Sequence, residues 1–150
     1  MRPDRTHGPG RIRPDGAPLP ELEPLSFGFW TGGREGELLI VRCDDCGHWL
    51  HPPSVLCPRC RSRELRPQPT SGRATVVSYT VNHQAWTEQM TTPFVIAVVE
   101  LVEQPGLQLL TNLGGDPTAI TVGMAVEVVF EQVEDVWFPV FVPSDSSAPP

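Results

Sequence analysis

Four cysteines carry the clearest chemical signal in the sequence, and they lie in two Cys-x-x-Cys pairs. Cys43 and Cys46 form the first pair, and Cys57 and Cys60 form the second, with ten residues between the pairs. This spacing allows one strand out, a proline-bearing turn and one strand back, so that two facing knuckles can hold a metal ion in a tetrahedral shell of thiolates. Four thiolates leave no position open for a catalytic water. The pattern therefore predicts a structural metal site in a zinc ribbon.

Other uses of these cysteines fit the flanking residues less well. Haem attachment requires His after the second cysteine of a pair, whereas Gly47 and Arg61 stand there. A thioredoxin-type pair belongs in a βαβ pattern, and no helix-period segment follows either pair. Nothing at the amino terminus resembles a secretory signal, so we expect a reducing compartment that disfavours disulfides. Zinc is the predicted metal and iron the alternative, while His48 and His51 are expected to line the ribbon surface.

Groups that could do catalysis are scarce outside the cysteines. No glycine-rich phosphate loop or paired-carboxylate motif is present, and none of the four histidines is paired in sequence with a plausible nucleophile. We therefore predict that the chain is not catalytic by itself. Tyr79 and His83 are four residues apart in a predicted strand and would share a face. His83 could assist chemistry in a partner, or it could simply bond backbone at the end of a strand.

Charge is divided unevenly along the chain. Residues 1–66 carry a net charge of +1, residues 67–150 carry −8, and every basic side chain is Arg. A strongly acidic half repels a phosphate backbone, which disfavours a nucleic-acid partner. Any anionic ligand is instead expected at the arginines of the ribbon. No apolar run approaches the roughly 20 residues of a membrane span, so we expect no membrane association and a soluble, cytoplasmic protein.

Five segments must position these groups. The Pro/Gly/Arg-rich residues 1–24 are predicted to be a disordered arm, and residues 144–150 a disordered tail. Residues 25–36 carry a short aromatic helix that Ser26 can cap and that Gly32 or Gly33 can end. The zinc ribbon spans residues 37–69 and a β-barrel spans residues 70–143. The aromatic helix could pack on its own ribbon or dock a partner.

The barrel segment contains five strand patterns with a short helical turn between the third and the fourth. That order is typical of an OB-fold barrel, and the seven strands of a small β-sandwich would not fit. The strands read GRATVVSYTVNH, PFVIAVVEL, LQLLTNL, GMAVEVVFEQV and WFPVFVP, and the helical turn spans residues 116–121. The predicted fold class is therefore mainly β: a short N-terminal helix, a zinc ribbon and a five-stranded OB-fold barrel.

Several stretches together resemble the acyl-CoA-associated family called domain of unknown function thirty-five, which combines a rubredoxin-like zinc ribbon with an OB-fold. They cover about Phe27 to Pro143 and read FW, EGELLIVRCDDCGHWLHPPSVLCPRC, SGRATVVSYTVNH, PFVIAVVEL, LLTNLGG and VGMAVEVVFE. Two features depart from the family pattern. Arg61 replaces a glycine, and residues 84–92, QAWTEQMTT, resemble an insertion where partner or substrate preference could differ.

The resemblance implies a non-catalytic accessory subunit that binds and stabilises a thiolase-like enzyme acting on acyl-CoA. The favoured setting is a lipid-transfer-protein-type aldolase, a carbon-carbon lyase that shortens a steroid side chain carried on CoA. A thiolase or acyltransferase complex of another pathway is the alternative. Because thiolases are commonly dimers, two copies of each chain, a heterotetramer, are expected. An alternative of a different class is a single-strand nucleic-acid-binding protein, which the acidic barrel disfavours.

Two candidate surfaces follow. The ribbon arginine surface would contact the phosphates of CoA, because Arg suits bidentate phosphate contacts, and Trp49 would guide the pantetheine arm. It comprises Arg42, Trp49, Arg59, Arg61 and Arg63, with Arg66 nearby, and its arginines could instead only solubilise the ribbon. The aromatic docking surface would contact the partner enzyme. It comprises Phe27, Phe29, Trp30, Tyr79, His83 and Trp86.

Overall fold

The computed structural model describes residues 12–144, which form a mainly β structure. One short helix precedes a small three-stranded sheet and a five-stranded barrel. In chain order the elements are helix α1 (Phe27–Thr31), which continues as a 3-10 turn (Gly32–Glu35), strands β1 (Leu39–Cys43), β2 (Trp49–Leu50), β3 (Leu65–Pro69), β4 (Arg73–Asn82), β5 (Phe94–Leu101) and β6 (Gln108–Asn112), a 3-10 helix (Pro117–Ala119), and strands β7 (Ala125–Val133) and β8 (Val136–Pro143). The predicted fold class is confirmed.

Helix α1 begins after Ser26 and has Gly32 as its C-cap, both as predicted, and a 3-10 turn then continues the helical segment. The Ser26 hydroxyl makes no capping hydrogen bond to the helix. The helical segment runs past Gly32 and Gly33 and ends at Gly36, whose φ of 72° is the left-handed conformation that glycine adopts readily. Gly33 serves close packing instead, because a Cβ atom there would lie 2.5 Å from the Phe130 ring.

The ribbon sheet has the order β2-β1-β3, with both pairs antiparallel. Arg42 pairs with Trp49 on one side and with Arg66 on the other, so the strand that carries the first cysteine lies in the middle. Leu38, Ile40 and Trp49 turn inward and belong to the same buried cluster as the barrel core. Ribbon and barrel therefore share one hydrophobic core.

The barrel has the strand order β6-β5-β4-β7-β8, and the four pairs of neighbouring strands are antiparallel. An isolated bridge between Leu113 and Phe141 brings the two edge strands together and nearly closes the barrel. The predicted helical turn is present as the 3-10 helix before β7, where the Asp116 carboxylate accepts the Thr118 N–H at 2.9 Å. No helix among residues 12–144 is long and apolar enough to cross a membrane.

The segment before α1 contacts the barrel where the structure describes it. We predicted a disordered arm over residues 1–24; residues 1–11 lie outside the described residues, as do residues 145–150 of the predicted tail. Ile12 and Leu22 pack, with Trp30, on a second apolar cluster formed by β8 side chains. The described part of the arm thus differs from a free chain, while the division of the chain into five segments stays a prediction.

Candidate metal centre and ligand surface

The two cysteine knuckles have matching backbone geometry. The N–H of Gly47 donates to the Cys43 carbonyl at 2.9 Å, and the N–H of Arg61 donates to the Cys57 carbonyl at the same distance. Gly47 has a φ of 78° and Arg61 a φ of 64°. Arg61 therefore adopts the less comfortable left-handed backbone that we considered for it, at a cost of about 1–2 kcal/mol. The strain preserves a second knuckle equivalent to the first.

This geometry brings the four thiols together. Cys43 Sγ lies 3.6 Å from Cys60 Sγ, and Cys46 Sγ lies 3.6 Å from Cys57 Sγ. All four sulfur atoms lie within 4.8 Å of one another. Sulfur atoms bound at about 2.3 Å around a tetrahedral ion would lie roughly 3.8 Å apart. The cluster therefore fits a single metal ion bound by four thiolates.

The four clustered thiols shift one another's pKa values in opposite directions. Burial acts to raise the pKa of Cys57, but the backbone N–H groups of Cys60 and Arg59 and two neighbouring thiols lower it to about 7. The Ser62 backbone acts to lower the pKa of Cys60, but burial and the three other thiols raise it to about 12. Four thiolates this close repel one another, and a bound cation removes that repulsion. The centre can hold a structural metal.

Neither nearby histidine belongs to the cluster. Within the described residues, the four cysteines alone form a group with metal-ligand geometry. His51 packs against Phe29, with ring centroids 4.8 Å apart, and lines a cavity of about 250 Å³ between ribbon and barrel with Trp49 and Leu107. Burial lowers the pKa of His51 below its usual 6.5.

Acid is therefore expected to destabilise the fold through His51. The unfolded chain binds this proton at its ordinary pKa, whereas the folded protein resists protonation until the pH reaches a lower value. The contribution of His51 to the free energy of unfolding should be constant well above pH 6.5, and it should fall as the pH drops through 6.5 towards the pKa of His51 in the folded protein. Urea unfolding at pH 7.5 and pH 5.5 measures this. His51→Gln should reduce the fall, whereas the exposed His83→Gln control should not; an equal fall in His51→Gln contradicts the prediction.

Gln104 joins the ribbon to the barrel. Its side-chain amide lies in the β5–β6 turn and faces the outer edge of β2, where Oε1 accepts the Trp49 N–H and Nε2 donates to the Trp49 carbonyl, both at 3.0 Å. The amide thus replaces the neighbouring peptide that an edge strand lacks. Because Trp49 is itself a core residue, this pair of bonds fixes the ribbon on the barrel.

Gln104→Leu is expected to destabilise the protein by about 1–3 kcal/mol, since both partly buried backbone groups of Trp49 lose their partner while the side-chain volume is kept. Urea unfolding monitored by far-UV circular dichroism measures the loss. Gln108→Leu, on the exposed start of β6, is the matched control and should change stability by less than about 0.5 kcal/mol. Equal effects of the two substitutions would disprove the role of Gln104.

The structure divides the ribbon arginine surface into two groups. Arg42 is held in place, because its Nε donates to the Gly47 carbonyl at 2.9 Å and its guanidinium lies 4.8 Å from the centre of the Trp49 ring. Arg66 forms an ion pair with Asp44, with 2.7 Å between Nε and Oδ2. Trp49 is only 9% exposed.

The second group surrounds the second knuckle. Arg59, Arg61 and Arg63 are exposed, and within the described part of the chain none of them forms an ion pair. Exposed Val55 and Leu56 precede them in the loop between the cysteine pairs. These three arginines are therefore the part of the predicted surface that remains open to an anionic ligand.

The aromatic docking surface is also divided. Trp30 packs edge-on against Phe138, with centroids 5.5 Å apart, and Phe29 lies between Trp30 and His51. Both are partly buried against the chain's own core clusters, whereas Phe27 is 53% exposed. Only Phe27 presents most of its ring to solvent on the helix. Beside it lies a cavity of about 370 Å³ lined also by Leu22, Arg34 and Trp137.

The remaining predicted docking residues are Tyr79, in the second half of β4, and His83 and Trp86, which follow that strand. The Tyr79 hydroxyl donates to the Ile120 carbonyl at 3.0 Å. His83 is exposed and is the first residue after β4, so the face that it was predicted to share with Tyr79 stays a prediction. Trp86, in the segment that we treated as insertion-like, is 68% exposed. Among residues 12–144, the ring contacts of Phe29 and Trp30 involve one another, His51 and Phe138, and none involves Tyr79, His83 or Trp86.

Fold and site together define a metal-ribbon/OB-barrel protein. Two family descriptions match consecutive parts of the chain: the rubredoxin-like zinc ribbon domain of ChsH2 over residues 30–66, and the C-terminal OB-fold domain of ChsH2 over residues 67–131. A DUF35 domain-containing scaffold protein of Pyrococcus furiosus is 33% identical, over 71% of this chain and 79% of the relative. The chain belongs to the DUF35 family.

Two further similarities concern larger enzymes. The 3-oxo-4,17-pregnadiene-20-carboxyl-CoA hydratase alpha subunit of Mycobacterium tuberculosis is 35% identical over 85% of this chain, which spans only 40% of the relative's length. A chain of the solved structure described as an Ltp2-ChsH2(DUF35) aldolase matches with a TM-score of 0.73 and 34% identity, over 83% of this chain and 98% of that chain.

Proposed function

We propose that this protein is a non-catalytic accessory subunit that binds and stabilises a thiolase-like enzyme acting on acyl-CoA. The observation that carries the proposal is the match to a chain of the Ltp2-ChsH2(DUF35) aldolase, because it extends over 98% of that chain and includes both ribbon and barrel. The similarity to a CoA-ester hydratase alpha subunit supports the same substrate class.

The favoured reaction is retro-aldol cleavage of a steroid side chain carried on CoA, with the catalytic groups supplied by the partner. The side chains of the described residues support this division of labour, since the thiols cluster as metal ligands and His83 lies exposed after β4. The bound metal is proposed to be zinc, which shapes the ribbon and takes no part in the reaction. Two copies of each chain would form the complex.

Arg59, Arg61 and Arg63 would contact the phosphates of CoA at or near the interface. CoA carries three phosphate groups, and these guanidinium groups, which form no ion pair within residues 12–144, can bind them without first breaking one. The exposed Val55 and Leu56 beside them could contact the neutral pantetheine arm. Phe27, on the helix, is the proposed anchor for the partner enzyme.

The test is purification of the tagged full-length chain from its native cell extract after nuclease treatment. We expect a thiolase-like protein, identified by mass spectrometry, in equimolar amount, and a mass of two copies of each chain by light scattering. Phe27→Asp should weaken this complex, whereas Val102→Asp, at a site of the same exposure (52% against 53%), should not. A parallel purification omits the nuclease. Recovery of RNA or DNA there, with no thiolase-like protein in either purification, would favour the nucleic-acid-binding alternative.

A further inference from the structure

A buried carboxylate on the outer wall of the barrel binds the arm. Glu131 lies near the end of β7 and is only 6% exposed. Its Oε2 accepts the backbone N–H of Ile12 at 2.6 Å, and its Oε1 accepts the N–H of Arg13 at 2.9 Å. Both oxygens of one side chain thus bind two consecutive backbone amides, which is a charge-assisted and geometrically demanding arrangement.

The strand pattern shows why Glu131 is buried. In β7 the side chains of Val126, Val128 and Phe130 face the barrel core, so Glu127 and Glu131 lie on the outer face. Glu127 on that face is exposed, whereas Glu131 is buried. Because the core does not cover Glu131, its burial comes from the segment that lies over it. A buried carboxylate without hydrogen-bond partners would be costly, and the two amides supply them.

Two further barrel residues, Gly114 and Phe138, lie against the Ile12–Arg13 dipeptide. A Cβ atom at Gly114 would lie 2.7 Å from the Cδ1 atom of Ile12, so the missing side chain at Gly114 makes room for Ile12. The guanidinium carbon of Arg13 lies 3.7 Å above the centre of the Phe138 ring, which is within the range of a cation–π contact. Glu131, Gly114 and Phe138 come from three separate parts of the barrel and meet on one dipeptide.

We propose that these three residues form a binding site for a peptide with an aliphatic residue followed by arginine, and that the chain's own Ile12–Arg13 occupies it. The arm is then a strap bound to the barrel. Arg13 also lines, with Trp30, a cavity of about 190 Å³ beside the junction of β6 and β8. Through Arg13 the strap therefore packs on the same Phe138 ring that Trp30 contacts.

Amide hydrogen exchange of the full-length protein, followed residue by residue by NMR, tests this site. The N–H groups of Ile12 and Arg13 should be protected, and Glu131→Gln should make them exchange about 10- to 100-fold faster, because each loses a bond to a charged acceptor. Glu127→Gln is the matched control: it makes the same change on the same face of the same strand and should leave both amides protected.

A second substitution, Ile12→Pro, changes the strap and leaves the barrel sequence unchanged. Ile12→Pro removes one of the two donors, and it should accelerate exchange at Arg13 to the same extent while the core amide of Val99 stays protected. If the Val99 amide also loses protection in Glu131→Gln, that variant has lost its fold, and the Ile12→Pro variant alone then tests the proposal. The proposal is overturned if the Ile12 and Arg13 amides of the wild type exchange at the rate of an unstructured peptide. It is also overturned if the Arg13 amide stays equally protected in a folded Glu131→Gln or Ile12→Pro variant.

Discussion

Replacing Cys57 with serine is expected to abolish metal binding and to unfold the ribbon. Cys57 is fully buried, and its sulfur lies 3.6 Å from that of Cys46 on the facing knuckle. Binding of structural zinc supplies about 10–16 kcal/mol at pH 7, comparable to the whole stability of a typical domain, about 5–15 kcal/mol. Because Leu38 and Ile40 of the ribbon lie in the core shared with the barrel, the barrel should lose stability as well.

Elemental analysis and NMR measure the result. The wild type should contain one metal ion per chain, which we propose is zinc, and Cys57→Ser should contain none; the ribbon amide signals should collapse and the melting temperature should fall. His48→Ala is the matched control, since the knuckle contact of His48 uses its backbone carbonyl, and it should retain one ion. A full equivalent of metal in Cys57→Ser, or a folded ribbon after complete chelation, would show that the four thiols are not a structural centre.

The sequence was most informative where local spacing determines the geometry. Two Cys-x-x-Cys pairs place their thiols together through short-range knuckles, and β-branched runs bounded by turns placed all five barrel strands. In both cases the decisive contacts are between residues close in sequence or within a regular alternation.

Contacts between distant residues could not be predicted in this way. Gln104 lies in a turn and carries no sequence signal of its role, because its partner, Trp49, is 55 positions away. Glu131 was counted only among the acids of the barrel, although it binds amides 119 and 118 positions away. A buried acid on the outer face of a strand is detectable only when the covering segment is known. The sequence placed the end of α1 at Gly32 correctly, but not the 3-10 turn that continues it to Gly36, because the close packing of Gly33 on distant Phe130 has no local signal.

A triple variant is expected to weaken acyl-CoA binding by the assembled complex about 100-fold or more. It replaces the three open arginines together: Arg59→Gln, Arg61→Gln and Arg63→Gln. Hydrogen bonds between charged groups contribute about 1.5–3 kcal/mol each, and about 2.7 kcal/mol corresponds to 100-fold in Kd. Isothermal titration calorimetry at two ionic strengths measures the change. The affinity of the wild type should fall as salt rises, and that dependence should be weaker in the triple variant.

Arg66→Gln separates a specific phosphate contact from a general effect of charge. Arg66 lies on the same ribbon, but its guanidinium is already paired with Asp44, so its removal should leave the affinity for acyl-CoA within about threefold of the wild type. The triple variant should still copurify with the partner, because its substitutions lie on the ribbon and Phe27 on the helix is unchanged. Unchanged acyl-CoA affinity in an intact complex would mean that these arginines only solubilise the ribbon; loss of the complex itself would instead place them at the partner interface.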